Sequence, residues 1–116
     1  MKYTVIYQGK GYSINKAYAQ NQWQRRTTKK EYQDVFYSLI DQIDKPETIT
    51  RFKLKVKFNA RIETTNNVAM EKILVDCLRY RGVIEDDSNK IMWKVTYEYC
   101  PDYPANYFKF ILKSTL

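Results

Sequence analysis

The chain of 116 residues predicts one α+β domain in the order βαβαββ, a small mixed sheet covered by two helices. Three observations carry that expectation. Alternating apolar and polar stretches at 2–8, 51–58 and 91–99 have the period of strands, and two stripes around residues 32–43 and 70–78 have the period of helices. A length of 116 residues accommodates a single core, and 44% hydrophobic residues with only three glycines and three prolines exclude a disordered or low-complexity chain.

The first strand, 2–8, is rich in Tyr, Val and Ile and stops at Gly9-Lys10-Gly11. Those glycines are turn residues, because the Gly-Lys-Ser/Thr ending of a phosphate-binding loop is missing. A basic loop is expected next, up to a helix over 29–43. Thr28 is its expected N-cap with Glu31 three residues on, Tyr32, Val35, Phe36, Leu39, Ile40 and Ile43 form its apolar stripe, and Pro46 is the expected stop.

Residues 51–58 alternate without error, with Phe52, Leu54, Val56 and Phe58 on one face and Arg51, Lys53, Lys55 and Lys57 on the other. That cationic row is either simply solvated or guards a sheet edge against pairing. A polar connector, 59–67, leads to a second helix with Met70, Ile73, Leu74, Cys77 and Leu78 in one stripe and Gly82 as its C-cap. Lys72 and Asp76, four apart, share a side of it. The acidic turn 85–89 then opens a strand in which Ile91, Trp93, Val95, Tyr97 and Tyr99 alternate with Met92, Lys94, Thr96 and Glu98, and Pro101 and Pro104 bracket a turn before a last strand at 107–113.

Charge is unevenly placed. Of 20 basic and 13 acidic residues, 12 and 5 lie in 1–60 and 8 and 8 in 61–116, so the whole net charge of +7 comes from the first half. The first 30 residues hold seven Lys/Arg and no acid, interleaved with Tyr12, Tyr18, Trp23 and several Asn and Gln. Cations, amides and aromatics in one segment suit phosphate contacts and base stacking, although lysines also serve solubility alone.

The absence of histidine excludes Ser-His and Cys-His catalysis and His-bound metals. Cys77 and Cys100 alone build neither a disulfide framework nor a zinc site, and buried thiols in a reducing cytosol are the expectation. No apolar run approaches the roughly 18–20 residues that span a bilayer, and the N-terminus does not read as a signal peptide, so a cytoplasmic protein without a membrane partner is expected. Eleven tyrosines leave apolar surface for a homodimer interface.

The chemistry open to such a composition is phosphodiester hydrolysis by Mg²⁺ held on carboxylates. Glu63 follows the second strand and Asp86 and Asp87 precede the third. If those strands pair, the acids meet at one end of the sheet, with Lys72 in reach to stabilise charge on a phosphate. An acidic pair in a turn is otherwise a capping or solvated feature.

Over residues 12–100 the chain resembles the RusA family of phage-type Holliday junction resolvases. Ser13-Ile14-Asn15-Lys16-Ala17-Tyr18 matches a Ser-x-Asn-x-x-Tyr loop, and Arg25, Arg26, Lys29 and Tyr32 match its basic segment and Tyr-bearing helix. Glu63-Thr64-Thr65-Asn66 stands at the Asp-x-Asp-Asn position, followed by Lys72, Asp76-Cys77-Leu78 and Gly82-Val83-Ile84-Glu85-Asp86-Asp87.

The resemblance implies a dimeric endodeoxyribonuclease dependent on Mg²⁺ or Mn²⁺ in a bacterial cell, of phage or prophage origin. By that resemblance Glu63, Asp86 and Asp87 are metal ligands and Lys72, Glu63 and Asp87 are catalytic. Asn15, Lys16, Tyr18, Arg25, Arg26, Lys29 and Asn66 contact branched or duplex DNA. Thr65 departs from the family by replacing its second aspartate with one neutral oxygen, which weakens a Mg²⁺ site. That substitution opens a second reading, a RusA-like protein that binds DNA or a protein partner without cutting, for example by blocking a host machine that handles nucleic acid.

Overall fold

The computed structural model describes residues 1–44 and 47–115, apart from the side chain of Thr65. The elements follow the order β1 (Lys2–Gln8), α1 (Ile14–Ala19), α2 (Gln22–Asp41), β2 (Phe52–Asn59), a 3₁₀ turn (Thr64–Asn67), α3 (Val68–Tyr80), β3 (Met92–Tyr99) and β4 (Tyr107–Ser114). The α+β expectation holds, with a four-stranded mixed sheet and three α-helices in place of two.

The extra helix lies where a basic loop is expected. Ser13 caps α1 by accepting from the Lys16 N–H at 3.1 Å. Asn21 caps α2 through a reciprocal capping box with Gln24, in which the Gln24 N–H donates to Asn21 Oδ1 at 2.8 Å and the Asn21 N–H to Gln24 Oε1 at 2.9 Å. Hence α2 starts well before residue 29, and Thr28 is no cap; its hydroxyl accepts instead from Gln20 Nε2 at 3.0 Å. Pro46, the expected stop, lies outside the described residues.

The strand order is β1-β4-β2-β3, with β4 antiparallel to both β1 and β2 and β3 parallel to β2. Strand β2 is therefore interior, and its lysines do not guard an edge. Its alternate residues Phe52, Leu54, Val56 and Phe58 are buried, as the periodicity predicts, and with Phe108, Phe110 and Leu112 of β4 they form the floor of the core. Phe36 and Ile40 of α2 and Met70, Leu74 and Leu78 of α3 are buried in the same core. Burying each such side chain is worth about 1.5–3 kcal/mol before the entropy of ordering the chain is subtracted.

The helix α3 ends where Gly82 takes φ +73°, a left-handed conformation that a residue with a Cβ resists. The N–H of Val83 then donates to Leu78 O at 3.0 Å and the chain turns back toward the sheet, where Ile84 makes an isolated parallel bridge to Ile49. At the start of β3 the register shifts between Phe52 and Lys53, so Trp93 is an extra residue on β3. The bulge brings its indole beside Arg51 and Lys53 instead of into the core, with their cationic groups 5.0 and 5.3 Å from the ring centroid.

Candidate nucleic-acid interface and acidic cluster

The basic stretch forms a helical projection. Residues 21–27, two turns of α2, are exposed on every side, with Trp23 73% exposed and Tyr18 of α1 71%. Asn15 and Arg26 are exposed, while Lys16 is half-buried. Burial, then the charge of nearby Lys10, lowers the pKa of Lys16. Arg25 fastens the projection together: its Nε donates to Ala17 O at 2.7 Å and its Nη2 to Tyr18 O at 3.4 Å, meeting carbonyls at the end of α1. Tyr12 belongs to the core and offers no stacking surface, since it is 4% exposed, lies stacked on Tyr32 at 5.5 Å and donates to Gln20 Oε1 at 2.7 Å.

Between α2 and α3 a groove of about 170 Å³ is lined by Arg25, Lys29, Lys72 and Asp76 over Tyr12 and Ile73. The structure thereby joins two residues expected to contact DNA with the lysine expected to be catalytic. Three cations against one carboxylate give the groove a positive balance.

The strands do not bring Glu63 to Asp86 and Asp87. Because β2 and β3 run parallel, with Phe52 opposite Met92 and Phe58 opposite Tyr99, the end of β2 that leads to Glu63 lies opposite the end of β3 that follows the aspartates. Those strand ends are separated by roughly 23 Å. Glu63 is exposed at the start of the 3₁₀ turn and makes no side-chain capping bond. Asn66, in the same turn, donates its N–H to Glu63 O at 2.8 Å. Thr65 belongs to the turn, and its side chain lies outside the described residues. Asn67, two residues on, is 1% exposed; Nδ2 donates to Thr64 O at 3.0 Å, and Oδ1 has no hydrogen-bond partner among the described residues.

The carboxylates gather around a cation of the chain itself. Arg79 lies 3.7 Å from Asp87, 3.8 Å from Asp86 and 4.0 Å from Asp76, and its guanidinium stacks 5.0 Å from the Tyr80 ring centroid. Asp86 Oδ1 also accepts the Asp87 N–H at 2.8 Å. Among the described residues no three Asp, Glu or Cys side chains form a group suited to hold a metal ion. With Arg79 facing Asp86 and Asp87, and Glu63 not joined to them, the residues do not fit the expected Mg²⁺ site.

Sequence reasoning missed Arg79 and Glu71. Glu71 is 6% exposed, and Tyr97 donates to its Oε1 at 3.4 Å. Burial raises its carboxyl pKa, the hydrogen bond from Tyr97 and the charge of Lys72 oppose the rise, and Asp76 and Asp87 add to it. The available signal was position: Leu74 and Val75, three and four residues on, are both buried, which places Glu71 on the core side of α3. Of the two thiols Cys77 is buried, with its pKa raised by burial to about 11, whereas Cys100 is partly exposed, against the expectation of two buried thiols.

Among the described residues no helix is long and apolar enough to cross a membrane. Neither a protein-family model nor a curated protein sequence matches the chain.

Proposed function

We propose that the chain is a RusA-like DNA-binding protein that holds the phosphate backbone without cutting it. The observation that carries this reading is the groove in which Arg25, Lys29 and Lys72, from two helices, face one another with Asp76 as the single acid. Asn15, Lys16, Tyr18 and Arg26 on the adjoining projection extend the contact surface. Lys29 and Lys72 act as mobile point charges on phosphates, while Arg25, held by α1 carbonyls, fixes the wall between them. Homodimerisation through the exposed Trp23 belongs to the same reading.

The test is binding of a four-way junction and of a linear duplex, with the natural chain compared with Lys29→Gln/Lys72→Gln. Binding by the natural chain should fall steeply with salt and the double variant should bind more weakly. Equal binding by both forms refutes the groove. Sedimentation at several concentrations reads the dimer.

A second reading, a Mg²⁺-dependent junction endonuclease, requires Mg²⁺ to displace Arg79 from Asp76, Asp86 and Asp87, which lie together beside the helix that also carries Lys72. Junction cleavage with Mg²⁺ or Mn²⁺ by the natural chain, abolished in Lys72→Ala, would establish it. Cleavage by Thr65→Asp alone would establish a binding protein that has lost its metal site.

A further inference from the structure

We infer that the open face of the sheet is a second DNA-binding surface, one that takes the backbone of a duplex irrespective of its sequence. The helices cover one face of the sheet, and the other carries lysines in register. Lys2 of β1 lies opposite Lys113 of β4, Lys113 opposite Lys53 of β2, and Lys53 opposite Lys94 of β3, so one row of lysines crosses all four strands. Two positions along, Lys55 shares a row with Thr96; the next row pairs Lys109 with Lys57. Lys2, Lys53, Lys55, Lys57, Lys94 and Lys113 line a concavity of about 520 Å³. Glu98 is the one acid among the outward strand positions, and it is spent on Lys55 at 3.4 Å.

Directly opposed like charges destabilise a sheet, and Lys53, Lys55 and Lys57 of β2 and Lys109 and Lys113 of β4 lie on interior strands, so edge protection accounts only for Lys2 and Lys94. Seven lysines less one glutamate leave +6 on a face roughly 23 Å long and about 14 Å wide. A duplex carries one charge per about 1.7 Å of axis, so a stretch of that length presents about 13 phosphates, half of them toward the protein. The charges balance.

Other occupants match less well. A second copy of this chain would set +6 against +6. A planar lipid surface does not follow a concave face. A single strand held by base stacking needs a free aromatic, and the Trp93 ring is already engaged by Arg51 and Lys53, with its Nε1 donating to Thr115 Oγ1 at 2.8 Å. Lysines without a bidentate reader contact phosphate and carry no sequence preference.

This inference shares the polyanion of the proposed function and none of its residues. The test is fluorescence anisotropy on a labelled 20-base-pair duplex across a salt series. The natural chain is compared with Lys53→Gln/Lys94→Gln/Lys113→Gln, with the same three positions changed to Arg, and with Lys29→Gln/Lys72→Gln. The Gln triple should bind about tenfold more weakly or worse, with a slope of log affinity against log salt smaller by about 2–3, and the Arg triple should restore both. Circular dichroism checks that each form is folded.

An unchanged affinity and slope in the Gln triple overturn the inference, as does a loss that Arg does not rescue. So does a natural chain that prefers a single strand or phosphatidylserine vesicles to the duplex. If only the Lys29→Gln/Lys72→Gln form loses binding, the groove stands and the sheet face falls; the converse sinks the groove and leaves the sheet face.

Discussion

A surface built from opposed lysines should weaken the fold that carries it, and Lys113→Gln measures by how much. Four like-charge pairs face each other directly across the sheet: Lys2 with Lys113, Lys113 with Lys53, Lys53 with Lys94, and Lys57 with Lys109. Each directly opposed pair costs about 0.2–1 kcal/mol. Lys113 belongs to two of them and, unlike Lys53, makes no cation–π contact whose loss would offset the gain. Its neutralisation should therefore stabilise the chain by about 1 kcal/mol at low ionic strength, a rise in Tm of about 4 °C for a domain of this size. Salt should erase the difference, because the screening length falls from about 30 Å at 0.01 M to about 3 Å at 1 M. Urea denaturation of parent and variant at those two salt concentrations reads both effects. A variant no more stable than its parent at 0.01 M salt, or a gain that persists at 1 M, refutes the reasoning.

Three further changes probe the rest of the molecule. Since burial raises the pKa of Glu71 above its ordinary 4.5, the native state holds a proton that the unfolded chain releases; stability from this group is full below that value and falls as pH rises through the shifted one. Glu71→Gln removes that loss, so its advantage in urea midpoint over the parent should grow from pH 4 to pH 8, and a constant difference contradicts it. Gly82→Ala should cost about 1 kcal/mol in a thermal melt, all of it from the positive φ because no atom of the described residues lies within 4 Å of the added Cβ, whereas Gly11→Ala drives a methyl into Ile62 and to 2.8 Å from Phe108 Cζ and should cost about 1–3 kcal/mol. Arg79→Ala strips the shared cation from Asp76, Asp86 and Asp87, so millimolar Mg²⁺ should raise the Tm of the variant and leave the parent unmoved; equal shifts would mean that Arg79 does not compete for those carboxylates.

What the sequence made legible was whatever one segment decides alone. The alternation of β2 and the apolar stripe of α3 depend on local period, and both faces are as read. The first turns of α2 escaped because Gln22-Trp23-Gln24-Arg25-Arg26 has no apolar stripe to reveal a helix, although Ser13 and the Asn21/Gln24 pair were readable caps. The interior place of β2 was not legible, since it depends on β4, nearly fifty residues later, inserting between β1 and β2. Parallel pairing of β2 with β3 likewise decided that Glu63 and the Asp86–Asp87 turn leave from opposite strand ends, and no local pattern specifies strand direction. Trp93 kept its alternation in sequence and lost it to a bulge.

The distribution of acids argues that the excess charge is more than a solubility device. A surface tuned for solubility mixes signs. Here the ion-paired acids sit largely away from the lysine face: Asp41 is 3.1 Å from Arg81, and Asp76, Asp86 and Asp87 surround Arg79. Only Glu98 meets a lysine of the open sheet, and the row from Lys2 to Lys94 contains no acid at all. Arg79 and Arg81 pair with four acids of the helical layer and the loop after it, and lysines stand opposite one another on the sheet. A polyanion lying across the row would relieve the repulsion between them, so under the proposed DNA-binding reading the same residues that lower the stability of the free chain supply its affinity. The arrangement also directs any self-association to other surfaces, and the exposed Trp23 at the start of α2 lies outside the strands that carry the lysines.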